Sequence, residues 1–437
     1  MKIKLLSLYD FLLFILVFTL TGIGILFIYS SGVNTDGFST SDEYIRQLLW
    51  AGIGLVLMII IPIFDYKKFQ KYSFYIYAAG ILLLMYTLLF GKEVNNAKSW
   101  IGFSFMSLQP SELFKIAYIL AYGNYLVITK KMNPLKRFII SLPMLVIPMG
   151  LILIQPDFGT ASVFIFIYLF MSFMANIPIR YLMILTLTGA LAILFTVLPQ
   201  YETIVYKKPI SILRILTNPQ LTMIVIASSL AVGILSVMGH IIFKAKYFYW
   251  ITYGFGIFTG ALFLAFLISS HHLMKPYQIQ RLLVFLSPDM PKMEGGWQIT
   301  QSMNAIGSGV FFGRGFLQGR LSHTKFLSQR STDFIFGIFS EEAGFIGGII
   351  FFAIYFTMLA RILYIIKQTN NSYGTFICSG ILGMFFYHFF INVGMTMGIM
   401  PITGIPLPFL SYGGSALLTN MIAIALVMGI NSRRLDF

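Results

Sequence analysis

Apolar runs long enough to cross a lipid bilayer recur along most of this sequence. Residues 11–30 form one such run, and the stretches 142–154 and 164–174 lack the polar face that a soluble helix normally shows. Only 10% of the 437 residues are charged, against about a quarter in soluble domains. The sequence therefore predicts an all-α, polytopic integral membrane protein with about 10–12 transmembrane helices, rather than a large soluble helical core.

Connectors rich in lysine and arginine alternate along the chain with acidic or neutral ones. The predicted spans are residues 9–31, 48–65, 72–90, 112–129, 138–154, 159–176, 181–199, 220–243, 248–270, 334–366, 374–398 and 407–431. The positive-inside rule places basic connectors such as Lys67-Lys68 in the cytoplasm, and both termini with them. No cleavable signal peptide is expected, because no small-residue cleavage site follows the first apolar run.

The formal net charge of +15 comes from scattered residues. This distribution indicates cytoplasmic connectors and an outer site for an anionic lipid, and it argues against nucleic acid as a partner. One basic connector, with Lys207, Lys208 and Arg214, falls on the outer side in this scheme. Either it lies on the lipid headgroups or the two spans beside it are not true spans. The single cysteine, Cys378, allows no disulfide within the chain.

The longest stretch without a span, residues 271–333, falls on the outer side. It contains many Gly, Gln and aromatic residues, and it is too long to serve only as a connection. We expect a large, folded, functional extracytoplasmic loop there. Its cations include Lys275, Arg281, Arg314, Arg320 and Lys325.

Polar residues also occur beside the apolar runs, where they are functional candidates by default. Glu112 and Lys115 share a helix face just after Pro110, either as partners in a cavity or as a helix cap with an interfacial ion pair. Asp157 is more typical of a helix cap. Asp333 opens a helix, and Glu341 lies about two turns deeper, where a carboxylate is costly unless it is paired.

The segment 401–415 contains three prolines and three glycines and cannot form an ordinary helix. Irregular backbone at membrane depth is tolerated only where protein buries it or where it lines a wet cavity. We therefore expect this segment to form a cavity wall. An outward cavity with carboxylates and cations does not, by itself, distinguish an enzyme from a transporter.

The polar segments 109–115, 155–159, 332–336, 341–344 and 404–415, together with Lys98-Ser99-Trp100, form a specific combination. This combination resembles the SEDS family (shape, elongation, division and sporulation). The segment 404–415, and Lys275-Pro276-Tyr277-Gln278 followed by Arg281, are similar to its RodA-like branch rather than its FtsW-like branch. The motifs extend from residue 46 to residue 434.

The resemblance implies a peptidoglycan glycosyltransferase in the bacterial cytoplasmic (inner) membrane. It would polymerise lipid II, a disaccharide-pentapeptide on undecaprenyl pyrophosphate, during cell elongation and shape maintenance. The implied partners are a class B penicillin-binding protein, other elongation-complex membrane proteins and membrane lipids. Residues 1–437 would form one SEDS-type transmembrane domain, with an inserted pair of spans at 201–270.

The outer loop departs from the family pattern where the family places an essential aspartate. Ser287 and Pro291 occupy the two usual Asp positions, and Ser331 replaces a usual His. The acids between His271 and Ser331 are Asp289 and Glu294. We expect Asp289, stiffened by neighbouring prolines, to be the catalytic base. Glu294 and a merely solvated turn at Asp289 are the alternatives.

The other candidate residues are assigned to substrate binding. They are Glu112, Lys115, Asp333, Glu341, Arg281, Lys325 and Ser411. No metal ligand is assigned and no cofactor is certain, while a divalent cation stays open. Two other functions also stay open: a lipid II flippase or transporter, and a non-catalytic scaffold for the penicillin-binding protein.

Overall fold

The computed structural model describes residues 9–33, 38, 41–94, 97–103, 106–206, 210, 213–270, 274–286, 294–319 and 331–433. Its helices are α1 (Phe11–Gly32), α2 (Glu43–Ile60), α3 (Tyr66–Phe90), α4 (Pro110–Ile128), α5 (Pro134–Ile154), α6 (Phe158–Met174), α7 (Ile179–Tyr201), α8 (Arg214–Thr217), α9 (Pro219–Phe243), α10 (Lys246–Ser270), α11 (Pro276–Leu286), α12 (Glu294–Ser308), α13 (Ile335–Gln368), α14 (Ser372–Thr396) and α15 (Gly414–Ser432). Chain contacts divide the protein into two compact units, Met1–Asn176 with Pro291–Phe437, and Ile177–Met290.

Each predicted span coincides with a long helix, which confirms the polytopic, predominantly helical membrane fold. Ten helices of the described part are long and apolar enough to cross a bilayer. Helix α4, which carries Glu112 and Lys115, is not among them, and α6 is shorter at 17 residues. Both exceptions belong to the first unit, where the candidate site lies.

Several helices begin where the sequence offers a side-chain cap. The Asp65 carboxylate accepts a hydrogen bond from the Lys67 amide at 2.9 Å, and the Asn371 side chain accepts one from the Tyr373 amide at 2.8 Å. These bonds satisfy amides that have no partner within the helix. Proline occupies the first turn of α4, α5 and α9, where its missing N–H costs nothing.

The first unit packs around α4, α14 and α15. In α14, 89% of the most apolar 18-residue window is buried, whereas the corresponding share in α3 is 17%. Buried helices in this unit therefore have protein neighbours on most sides, and the outer helices turn apolar faces to lipid. The difference allows α4 and α14 to hold buried ionisable side chains such as Lys115 and His388 at membrane depth.

A small antiparallel sheet, which the sequence analysis did not predict, precedes α4. Strands β1 (Lys92–Val94), β2 (Ala97–Phe103) and β3 (Met106–Leu108) pair in that order. Lys92 is opposite Trp100, and Gly102 is opposite Ser107. The sheet leads the chain into Gln109 and so orients the first turn of α4.

The second unit contains α7 to α11. Hydroxyl groups join α9 to α10, with Ser236 donating to the Phe248 carbonyl at 2.7 Å and Thr259 bonding to Ser229 at 2.8 Å. Both helices are long and apolar enough to span a bilayer. That they form an inserted pair stays a prediction, and Lys207 and Lys208 lie outside the described residues.

The predicted outer loop, 271–333, is partly helical. It contains α11, with 11 residues, and α12, with 15 residues, and both are shorter than the roughly 20 residues of a transmembrane helix. The loop thus contains ordered structure without an additional span in its described part.

Candidate active site

The first turn of α4 holds a buried ion pair. Lys115 Nζ lies 2.8 Å from Glu112 Oε1 and 2.7 Å from Oε2, and the two residues are 0% and 3% exposed. Their spacing of three residues places both side chains on one face of the helix. The partnership predicted from the sequence is confirmed. Such a pair is costly to bury and stays in place only when its charges satisfy each other.

A histidine that the sequence analysis did not single out completes this cluster. His388 of α14 lies with Nε2 3.2 Å from Lys115 Nζ and with Nδ1 3.0 Å from the carbonyl oxygen of Pro406. The signal was available, because an ionisable residue inside an apolar span is a functional candidate by default. The histidine links the ion pair to the segment that precedes α15.

That segment, residues 401–413, is non-helical, as its prolines and glycines predict. Asn392 of α14 donates to the carbonyls of Ile405, at 2.8 Å, and Asp333, at 3.0 Å. Glycines on the neighbouring helices α1 and α6 allow the segment to approach them closely. A Cβ at Gly24 would lie 2.2 Å from the Phe409 carbonyl oxygen, and one at Gly159 would lie 2.5 Å from that of Thr403.

Ser411 holds the end of the same segment. Its hydroxyl donates to the Thr332 carbonyl at 2.6 Å and accepts from the Leu407 amide at 2.8 Å. Gln47 of α2 donates to the Ser411 carbonyl at 3.2 Å. In this conformation the Ser411 hydroxyl holds the backbone of Thr332 and Leu407 in place. Its assignment to substrate binding stays a prediction.

A second set of polar contacts lies around the start of α4. The Gln109 side chain donates a hydrogen bond to the Asp157 carboxylate at 2.8 Å, and the Gln109 backbone amide donates to the Ser415 hydroxyl at 2.9 Å. Asp157 also accepts from the Thr160 amide at 3.0 Å, so the cap expected from the sequence is present. Burial raises the pKa of the Asp157 carboxyl, and the Thr160 amide opposes that rise.

Two adjacent carboxylates of α13, Glu341 and Glu342, are buried beside a break in the helix. Glu341 lies 3.9 Å from Arg314 Nε, while Glu342 accepts from the Ser30 hydroxyl and, at 3.1 Å, from the Leu317 amide. The break falls at Gly344, with φ 69° and ψ −169°. It was not predicted from the sequence.

The structure thus places the predicted residues in two neighbouring groups. Glu112 and Lys115 belong to the cluster with His388. Asn392, one helical turn after His388 on α14, donates a hydrogen bond to the Asp333 carbonyl. Glu341 belongs to the group around Arg314. One cavity lined by all four predicted residues stays a prediction.

Three further predicted residues cannot be placed in this cluster. Arg281 belongs to the second unit, where its guanidinium carbon lies 5.7 Å from the ring centroid of Tyr277. Lys325 and Asp289 lie outside the described residues. Within the described part of the chain, no group of three or more His, Cys, Asp or Glu side chains could hold a metal ion.

The opposite end of α4 borders a cavity of about 320 Å³. Lys130 and Arg137 line it, and Arg137 is engaged with the Ala175 carbonyl at 2.8 Å and with the Leu126 carbonyl. Arg137 therefore ties together the ends of α4, α5 and α6. Because the buried carboxylates of Glu112, Glu341 and Glu342 lie at the other end, we place the candidate active site around Glu112 and Lys115.

Comparisons with known proteins identify a family and several related chains. The FtsW, RodA and SpoVE family model, described as a cell cycle protein, matches residues 10–209 and 202–435. The peptidoglycan glycosyltransferase RodA of Treponema pallidum (strain Nichols) is 48% identical over 100% of both chains. The peptidoglycan glycosyltransferase MrdB of Escherichia coli (strain K12) is 28% identical over 89% of this chain and 85% of its own. A chain in a solved peptidoglycan synthase complex, at 23% identity, has a TM-score of 0.69 over 98% of this chain and 99% of that one.

Proposed function

The chain belongs to the FtsW, RodA and SpoVE family and is a peptidoglycan glycosyltransferase, and we propose that it polymerises lipid II during cell elongation. The structural observation that carries the proposal is the buried Glu112–Lys115 pair, which His388 links to the non-helical segment 401–413. Enzyme chemistry accounts for it better than the flippase or scaffold alternatives, since the full-length relative carries a glycosyltransferase name.

The reaction joins an acceptor sugar hydroxyl to the anomeric carbon of the donor while the bond to the lipid pyrophosphate breaks. A base must take the hydroxyl proton, and positive charge must stabilise the departing pyrophosphate. Lys115 is a suitable cation because its ammonium is already desolvated and oriented. In this proposal Glu112 holds that ammonium until the pyrophosphate arrives, and Asp289 acts as the base.

We further propose that a class B penicillin-binding protein crosslinks the product strands. The support is a fold shared with a chain of a synthase complex that coordinates polymerization and crosslinking. The chain would lie in the bacterial cytoplasmic membrane with both termini inside. In the first unit, the helix ends opposite Glu112 carry Lys130, Lys131 and Lys367, as the positive-inside rule requires of a cytoplasmic face.

Glycan synthesis from lipid II by the purified full-length chain, with and without a class B penicillin-binding protein, tests the proposal. We expect strands from the wild type and about 100- to 1,000-fold slower synthesis by Lys115→Met, as for loss of a group that stabilises developing charge. Lys68→Met, a change of an exposed lysine at the start of α3, is the matched control and should retain activity. Absence of strands from the wild type in both conditions would contradict the function. Lipid II transport into liposomes without strand synthesis would support the flippase instead.

A further inference from the structure

The environment of His388 determines which of its ring nitrogens carries the proton. The imidazole is 1% exposed, and its two nitrogens face the Pro406 carbonyl oxygen and the Lys115 ammonium. A carbonyl can only accept a hydrogen bond, so Nδ1 must donate to it. An ammonium can only donate, so Nε2 must accept from it. The contacts therefore require a neutral imidazole with its proton on Nδ1.

The same contacts hold the Lys115 ammonium between two elements. Nζ donates to Glu112 Oε1 at 2.8 Å and lies 2.7 Å from Oε2, and His388 Nε2 lies 3.2 Å away on α14. The carboxylate neutralises the ammonium, whereas the imidazole holds it without cancelling its charge. When a substrate anion displaces a Glu112 oxygen, the histidine can keep the ammonium in place.

We infer that His388 is a positioning residue that fixes Lys115 and couples it to the segment 401–413. This inference rests on the proposed glycosyltransferase function. The imidazole does not touch the reacting atoms and acts through Lys115 and through the Pro406 carbonyl. Movement of the segment 401–413 would therefore change the position of the ammonium that faces the pyrophosphate.

Substitutions at His388 separate this role from simple packing. His388→Leu fills the space but removes both hydrogen bonds, and we expect polymerisation by the full-length chain with its transpeptidase partner to fall about 10- to 100-fold. His388→Gln retains a donor and an acceptor and should recover most of the activity. His240→Gln, the same change at an exposed histidine of the second unit, is the control and should be unaffected.

A double-mutant cycle tests whether His388 acts through Lys115. Residues that work as one unit are non-additive, so His388→Leu should reduce activity little further in a Lys115→Met background. The background must retain measurable residual activity, or Lys115→Arg takes its place. Additive losses, or equal activity of the Leu and Gln variants at matched thermal stability, would overturn the inference.

Nitrogen-15 magnetic resonance of histidine-labelled protein provides a readout that does not depend on activity. The His388 signals, identified by their loss in His388→Gln, should show a protonated Nδ1 and an unprotonated Nε2. Lys115→Met should shift the Nε2 signal. A protonated Nε2 would overturn the inference even if the wild type makes glycan. A wild type that makes no glycan but shows this tautomer would contradict the proposed function only.

Discussion

The Glu112–Lys115 pair is exposed to neither water nor lipid, and this determines how substitutions will act at the residue scale. Removing one partner of a buried pair leaves the other charge without compensation, which costs about 3–5 kcal/mol in known cases. We expect Glu112→Gln and Lys115→Met each to lower the thermal midpoint of the detergent-solubilised protein. The double variant should recover part of that loss, because no charge is left unpaired.

The control for this pair is Arg314→Gln, at the partly exposed arginine that lies 3.9 Å from Glu341. Because that contact is long, the arginine side chain is 35% exposed and Glu341 also accepts a hydrogen bond from the Ser308 hydroxyl at 3.4 Å, its loss should cost less than the loss of Lys115. A double variant at Glu112 and Lys115 as unstable as the sum of its single variants would contradict the ion-pair account.

The catalytic base is the second prediction at the residue scale. We expect Asp289→Ala to insert normally, to bind its transpeptidase partner and to lose polymerisation by about 100-fold or more, as for loss of a general base. Glu294→Ala is the comparison, since Asp289 and Glu294 are the acids of the outer loop before Ser331. Near-normal activity of the Asp289 variant, together with an inactive Glu294 variant, would move the assignment to Glu294.

At the scale of elements, the break in α13 lies two residues after the buried Glu342 and changes the hydrogen bonding of the backbone there. Gly344 has a positive φ of 69°, and a Cβ there would lie 2.1 Å from the Gly313 amide nitrogen. The break lets the segment 309–317 approach α13, so that the Arg314 and Gly315 amides donate to the Glu341 and Glu342 carbonyls at 3.0 and 3.1 Å. Backbone that would be unpaired at the break is thereby satisfied.

Gly344→Ala should therefore be strongly destabilising. The left-handed backbone costs about 1 kcal/mol or more for a residue with a side chain, and the close approach to Gly313 adds to it. Gly348→Ala, one helical turn further along α13, is the matched control because a Cβ there meets nothing within 4 Å. It should be neutral or slightly stabilising. Equal thermal midpoints for the two variants would contradict this account of the break.

Sequence reasoning recovered the elements of this fold better than their interruptions. Apolar runs and caps are local signals, so spans such as α14 and the Asp157 cap were predictable from residue order alone. The break at Gly344 and the sheet at 92–108 were not, because each depends on a segment distant in sequence or on a short, weakly patterned strand. The Glu112–Lys115 pair was predictable from its spacing, whereas His388 is 273 residues from Lys115 in sequence and requires the fold.

At the scale of the whole molecule, polar groups separate between the two ends of the first unit. One end holds the contacts of Glu112, Asp157, Asp333 and Glu342. The other holds Asp10, which accepts from Arg361 at 2.8 Å and from Asn431 at 2.9 Å. In the proposed topology an outer substrate would meet the end that contains Glu112, and hydrogen bonds between helix termini stabilise the end that contains Asp10.

The topology prediction follows from this alternation of helix ends. Span parity places the connector after α7, which contains Lys207 and Lys208, on the outer side of the membrane, even though its charge would favour the cytoplasm. In a chain carrying Cys378→Ala, a cysteine introduced by Tyr206→Cys should react with a membrane-impermeant thiol reagent added to intact cells. Lys131→Cys, in the basic connector after α4, should react only after the membrane is opened.

Charge bias acts on short loops as a preference of limited free energy, and the spans on either side of the connector after α7 are long and apolar enough to override it. If Tyr206→Cys reacts only from the cytoplasmic side, α7 or a neighbouring helix does not cross the membrane, and the twelve-span scheme is wrong.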